Sequence, residues 1–174
     1  YLKNLGQNER KILRDRGVKF GRYHIFLYRL IKPEAVSLRT LLWKNHHQKY
    51  FDLKPPTFGL NFLDNKKIND KNFMLFCGFE KFDNIFVRID ILERLFVLII
   101  NLTSEQNKEI KIIPQMLNLL GCNKDNFKKL LKKMNYKIIE KGDDTFFKYM
   151  SKKNTKKTDK KITKESPFRV LKDL

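Results

Sequence analysis

A chain of 174 residues that is 41% hydrophobic and 13% aromatic carries enough apolar side chain to build a core, which excludes an intrinsically disordered polymer. Its 38 lysines and arginines stand against 19 aspartates and glutamates, and the resulting formal charge of +19 argues for a polyanionic partner, nucleic acid before an anionic membrane surface. Cys77 and Cys122 form no C-x-x-C pair, and the longest apolar run, Leu95 to Ile100, is far too short to cross a bilayer, so a disulfide scaffold and a membrane span are excluded and a reducing cytoplasm is expected.

In chain order, Asn8 to Arg16 reads as a short polar helix stopped by Gly17, a residue suited to the left-handed position after a helix. Val18 to Leu27 reads as extended, with Gly21 as a bend or bulge. Pro33 suits a first helical residue, and the helix it opens should run to about His47. Leu38, Leu41 and Leu42 are its expected buried stripe, with Ala35 one turn earlier, and Trp43 is expected in the core. Asp52 to Asn72, with Pro55-Pro56, reads as a loop. Lys71 to Cys77 then makes a helical turn or two, and Phe79–Phe82 and Ile85–Val87 flank Asp83-Asn84 as a small hairpin.

From Ile89 to about Leu102 the chain is apolar almost all round, which predicts a central buried helix whose wet side is marked by Arg88, Asp90, Glu93 and Arg94. Ile113 to Leu120 is a short helix with Pro114 in its first turn and Gly121 at its end. Asn123 is a fitting N-cap for the next helix, and Asp125 favours the positive end of its dipole. There Phe127, Leu130, Leu131 and Met134 fall on one stripe, while Lys128, Lys129, Lys132 and Lys133 project the other way. Tyr136–Ile139 and Thr145–Tyr149 read as strands, so three helices and a hairpin between 89 and 150 predict a winged-helix-like domain. The fold class is therefore α+β and mostly helical, with a small helix/strand region before that domain. The expected divisions are 1–52, a loop at 53–72, the hairpin and winged-helix-like domain at 73–150, a flexible linker at 151–165 and a docking segment at 166–174. Ser151 to Lys161 holds six lysines and one acid with no apolar residue, which is linker composition. The segment from Ser166 to Leu171 is apolar again and is expected to dock a protein partner.

The lysine row is the strongest functional signal. With Lys124 it offers positive charge to a phosphate backbone, and with no arginine, asparagine or glutamine pointing the same way it suits phosphate contact more than base readout. A second basic cluster mixes Arg14, Arg16, Lys19, Arg22 and Arg29 with Phe20, Tyr23 and Phe26. Such a mixture stacks single-stranded bases, or else its alternate residues are simply buried in an extended segment. Asp143-Asp144 could bind Mg²⁺ only opposite a third acid, and between two short strands after Gly142 it reads as a turn. His24, His46 and His47 lack a cysteine at ligand spacing and are read as surface or packing residues. The chain contains no phosphate loop, dinucleotide fingerprint, zinc-protease motif or nucleophile elbow, so no catalytic residue, metal or cofactor is assigned to it.

Several stretches carry a resemblance that these motifs alone do not: 17–27 (GVKFGRYHIFL), Lys32-Pro33, 38–43 (LRTLLW), 87–95 (VRIDILERL), 119–122 (LLGC) and Ser166-Pro167-Phe168. In this order they resemble the C-terminal region of alphaproteobacterial superfamily II (DExH-type) helicases similar to the mitochondrial degradosome RNA helicase. This chain is richer in Lys and Asn than those relatives, which favour Ala and Arg. The resemblance implies an accessory nucleic-acid-binding region behind an ATP-driven motor that lies upstream of Tyr1, with ATP and Mg²⁺ belonging to that motor. RNA is then favoured over DNA, with Lys124, Lys128, Lys129, Lys132 and Lys133 on phosphates and Arg16, Lys19 and Arg22 assisting. The chain would not be an enzyme by itself, and its parent would be an ATP-dependent RNA helicase. The alternative is a stand-alone winged-helix DNA-binding regulator.

Overall fold

Polar sequence and a single glycine set the first element. Helix α1 (Gln7–Asp15) buries none of its residues and is closed at its start by the Glu9 carboxylate, which accepts the Gly6 N–H at 2.8 Å. It stops where Gly17 takes a φ of +91°, a conformation that L side chains rarely adopt. The computed structural model describes residues 4–47, 52–65, 70–105 and 109–150. The linker at 151–165 and the docking segment at 166–174 lie outside the described residues.

The stretch after Gly17 is a hairpin and not one extended run. Strand β1 (Val18–Phe20) pairs antiparallel with β2 (Ile25–Leu27), with Val18 opposite Leu27 and Phe20 opposite Ile25. Gly21 to His24 make the turn. A 3₁₀ turn at Tyr28–Ile31 leads into α2 (Pro33–His46), with Pro33 at its start as expected.

The face that α2 buries is not the expected one. Leu38, Leu41 and Leu42 are 57–60% exposed, whereas Val36 and Thr40 are buried and Trp43 packs against the same core. Apolar residues lie on more than one side of this helix, so spacing alone could not choose among faces. The choice is made by aromatic packing against α3 (Lys71–Phe76): Trp43 stacks on Phe76 at 5.5 Å and meets Phe73 at 5.6 Å. Thr40 tolerates burial because its hydroxyl donates to the Val36 carbonyl at 2.8 Å. Val36, Phe73, Met74, Cys77, Phe79 and Phe86 form this smaller core.

The predicted hairpin forms as β4 (Phe79–Phe82) and β5 (Ile85–Arg88), with Phe79 opposite Arg88. Within the stretch read as a loop, β3 (Phe62–Asp64) adds to β5 and makes a sheet of order β3-β5-β4. Three residues carry too little periodicity to announce a strand, and the pairing partner supplies what local sequence does not.

Helix α4 (Ile89–Glu105) runs through the main core and buries Ile91, Leu92, Leu95, Phe96 and Ile99. After it come β6 (Ile110–Lys111), α5 (Pro114–Leu120), α6 (Lys124–Lys133), β7 (Tyr136–Lys141) and β8 (Asp144–Tyr149). The last sheet has the order β6-β8-β7. Met116, Leu120, Phe127, Leu130, Leu131, Met134 and Phe147 close on α4, so the apolar stripe of α6 faces inward as its spacing requires. Asn123 caps α6 by accepting the Asn126 N–H at 2.8 Å.

The wet side predicted for α4 is half wrong. Arg94 is exposed, but Asp90 is only 5% and Glu93 only 8% accessible. A buried carboxylate needs partners, and both have them. Asp90 holds Arg88 through two hydrogen bonds at 2.6 and 3.0 Å. Glu93 has a different task, described below. Nor is α4 buried all round, since Val97 and Ile100 are exposed.

Candidate nucleic-acid interface

The outer face of α6 is less free than its sequence suggests. Lys128 Nζ donates to Glu140 of β7 at 2.6 Å, and Lys133 Nζ lies 2.6 Å from Asp83 in the β4–β5 turn. Lys129 Nζ is 3.9 Å from Asp64 of β3 and 3.3 Å from the Asn126 side chain. Acids from three different elements therefore reach this row and tie α6 to both three-stranded sheets. The lysine ammonium groups hold the carboxyls of Glu140 and Asp83 below their ordinary values, through the hydrogen bond first and the charge second. Lys124 and Lys132 add longer-range attraction on Glu140 but form no ion pair among the described residues.

What remains available is a different set of cations. Lys132, Lys137 and the half-buried Lys128 line a groove of about 610 Å³ with Tyr136, Ile138, Glu140 and Met150. Lys137, which spacing on α6 could not reveal because it lies on β7, is exposed and pairs with no acid among the described residues. Tyr136 sits at the hinge of this surface. Burial pushes its hydroxyl above the ordinary 10, the charge of Tyr23 adds to that rise, and Arg22 acts against it.

Glu93 holds that hairpin in place. Its carboxylate accepts the backbone N–H groups of Arg22 at 2.6 Å and of Tyr23 and His24 at 2.9 Å. A Cβ on Gly21 would overlap this carboxylate, so glycine is required there by close approach. Tyr23 stacks on Phe96, one turn from Glu93, with ring centroids 4.5 Å apart. His24 Nε2 lies 2.8 Å from Glu80 Oε2, an electrostatic contact not aligned as a hydrogen bond. The turn is therefore anchored on α4 and on β4 together. No sequence signal marked Glu93 for this role, because a glutamate on an amphipathic helix reads as solvent-facing. Its partners are backbone groups about seventy positions away.

Of the eight positions singled out from the sequence, Lys124 and Lys132 on α6 pair with no acid among the described residues, while Lys128, Lys129 and Lys133 are engaged. Lys19 and Arg22 line a second groove, between the first hairpin and α4. Arg16 caps α1, is exposed, and does not line that groove.

Of the pair read as a turn, Asp143 lies in the turn with Gly142, whereas Asp144 opens β8 and pairs with Lys111 at 2.6 Å. Among the described residues no three His, Cys, Asp or Glu side chains gather as a metal site. Burial raises the thiols of Cys77 and Cys122 to about 12 and about 11, so neither is a ready nucleophile. Among the described residues no helix is long and apolar enough to cross a membrane.

The chain matches no family model, no curated protein and no solved structure. Its function therefore rests on the geometry of the site and on the residues that form it.

Proposed function

We propose that this chain is a nucleic-acid-binding region, the C-terminal accessory part of an ATP-dependent helicase that acts on RNA. The observation that carries the binding role is a set of cations that pair with no acid among the described residues: Lys132 and Lys137 in the α6–β7 groove, with the exposed Lys124 at the start of α6. Flexible ammonium groups on a helix and an adjoining strand suit phosphate oxygens more than base edges.

The order α4-β6-α5-α6-β7-β8, with sheet order β6-β8-β7, supports reading 89–150 as a winged-helix-like module with α6 outermost. Two stretches that resemble the helicase C-terminal region also meet in space: Glu93 of the 87–95 stretch binds the turn of the 17–27 stretch. That contact gives the resemblance a shared physical purpose. In this reading the region holds a strand while the motor translocates. ATP and Mg²⁺ act in the motor.

The test is binding of a labelled 12-nucleotide RNA followed by fluorescence anisotropy across a salt series. Affinity should fall steeply with salt. Lys132→Glu with Lys137→Glu should lower affinity for all sequences alike and reduce the slope of log K against log salt by about 1.4. Unchanged affinity in that double variant would remove the assignment. A phosphate loop and a DExH-type box encoded upstream of Tyr1 would support the helicase assignment, and a start codon immediately before Tyr1 would replace it with a free regulator.

A further inference from the structure

We infer that the groove between the first hairpin and α4 is a stacking site for an unpaired base of a single strand whose phosphates lie on the neighbouring cations. This deepens the proposed nucleic-acid reading and rests on it.

The groove encloses about 900 Å³, near the upper end of the range in which proteins bind small organic groups, roughly 300–1,000 Å³. One wall is Phe20, Phe26 and Tyr28 from the hairpin and the 3₁₀ turn, and the other is α4 with Val97 and Ile100. The two α4 residues are exposed, and Tyr28 is 43% exposed. Three cations, Lys19, Arg22 and Arg94, stand on the rim and pair with no acid among the described residues. The two acids in the lining are already committed, Asp90 to Arg88 and Glu93 to the hairpin turn. The site therefore combines apolar and aromatic surface with three cations that pair with no acid among the described residues.

That combination selects a flat, apolar-faced group attached to an anion. A nucleotide has this form, and its base exposes a face only where the strand is unpaired, because stacking hides both faces in a duplex.

The experiment compares three labelled 12-mers on the full chain: single-stranded U12, an abasic strand of equal charge, and a 12-base-pair duplex. The expected result is that U12 binds at least tenfold tighter than the abasic strand. Tyr28→Ala should weaken U12 about fivefold and leave the abasic strand unchanged, as expected when one stacked base is lost. Tyr28→Phe, which keeps the ring, should restore the affinity, and Arg94→Ala should weaken both single strands. Equal affinity for U12 and the abasic strand, tighter binding of the duplex, or no effect of Tyr28→Ala would overturn the stacking site. If Lys132→Glu still weakens all ligands in that case, the phosphate-binding surface stands without it. If none of the three 12-mers binds the native chain, both readings fall.

Discussion

Glu93 shows how much a single buried carboxylate can organise. It removes three backbone donors from competition with water and fixes Arg22 and Tyr23 against α4. Glu93→Gln keeps the shape but replaces one acceptor oxygen by an N–H₂ group facing N–H donors. A loss of about 2–3 kcal/mol of folding stability is expected, read from chemical denaturation, with a parallel loss of Arg22-dependent binding. Gly21→Ala is expected to cost about 1–3 kcal/mol by steric overlap with the same carboxylate. A Gly21→Ala protein as stable as the native one would mean that the turn does not sit on Glu93. The helix spacing placed Glu93 correctly on α4, but its burial depends on a hairpin that the sequence showed only as an extended run with a bend.

At the scale of elements, α2 and α6 teach opposite lessons. The leucines of α2 follow a helical stripe, yet the helix presents Val36, Thr40 and Trp43 to its neighbours and leaves the leucines outside. Leu41→Gln should therefore change stability by no more than about 0.5 kcal/mol, a result that denaturant titration distinguishes from the several kcal/mol expected of a buried leucine. In α6 the apolar stripe lies inward as periodicity requires, because Phe127, Leu130 and Leu131 leave no other face to bury. The opposite face was legible as positive but not as partly neutralised. Glu140, Asp83 and Asp64 come from other elements, and only the fold brings them to the lysines. Glu140→Gln and Asp83→Asn release Lys128 and Lys133, so RNA affinity should rise about twofold to fivefold. A fall in affinity would show that these pairs position the lysines and do not compete with phosphate.

For the whole molecule, the same ion pairs set the response to pH. Lys128, Lys133 and Lys141 hold Glu140, Asp83 and Glu109 below ordinary values of 4.5, 3.8 and 4.5. The folded protein then binds fewer protons than the unfolded one through this range, so the pairs contribute fully above the ordinary values and lose their contribution as pH falls through the lowered ones. The thermal midpoint should be flat near neutrality and fall below about pH 4, by a small amount because all three carboxyls are exposed to solvent screening. Replacing the three acids by their amides should flatten that acid limb, and an unchanged limb would show that these three pairs do not set it.

By itself the sequence determined the charge, the helices with strong caps and one-sided apolar faces, and the hairpins at Asp83-Asn84 and after Met134. These depend on local chemistry: a cap, a turn residue or a stripe acts within a few positions of itself. Only the tertiary structure decided which face of α2 is buried, that β3 and β6 exist, that Asp90 and Glu93 are inside, and which cations remain without acids. Each of those outcomes depends on a partner distant in sequence, and neither periodicity nor composition records who the partner is.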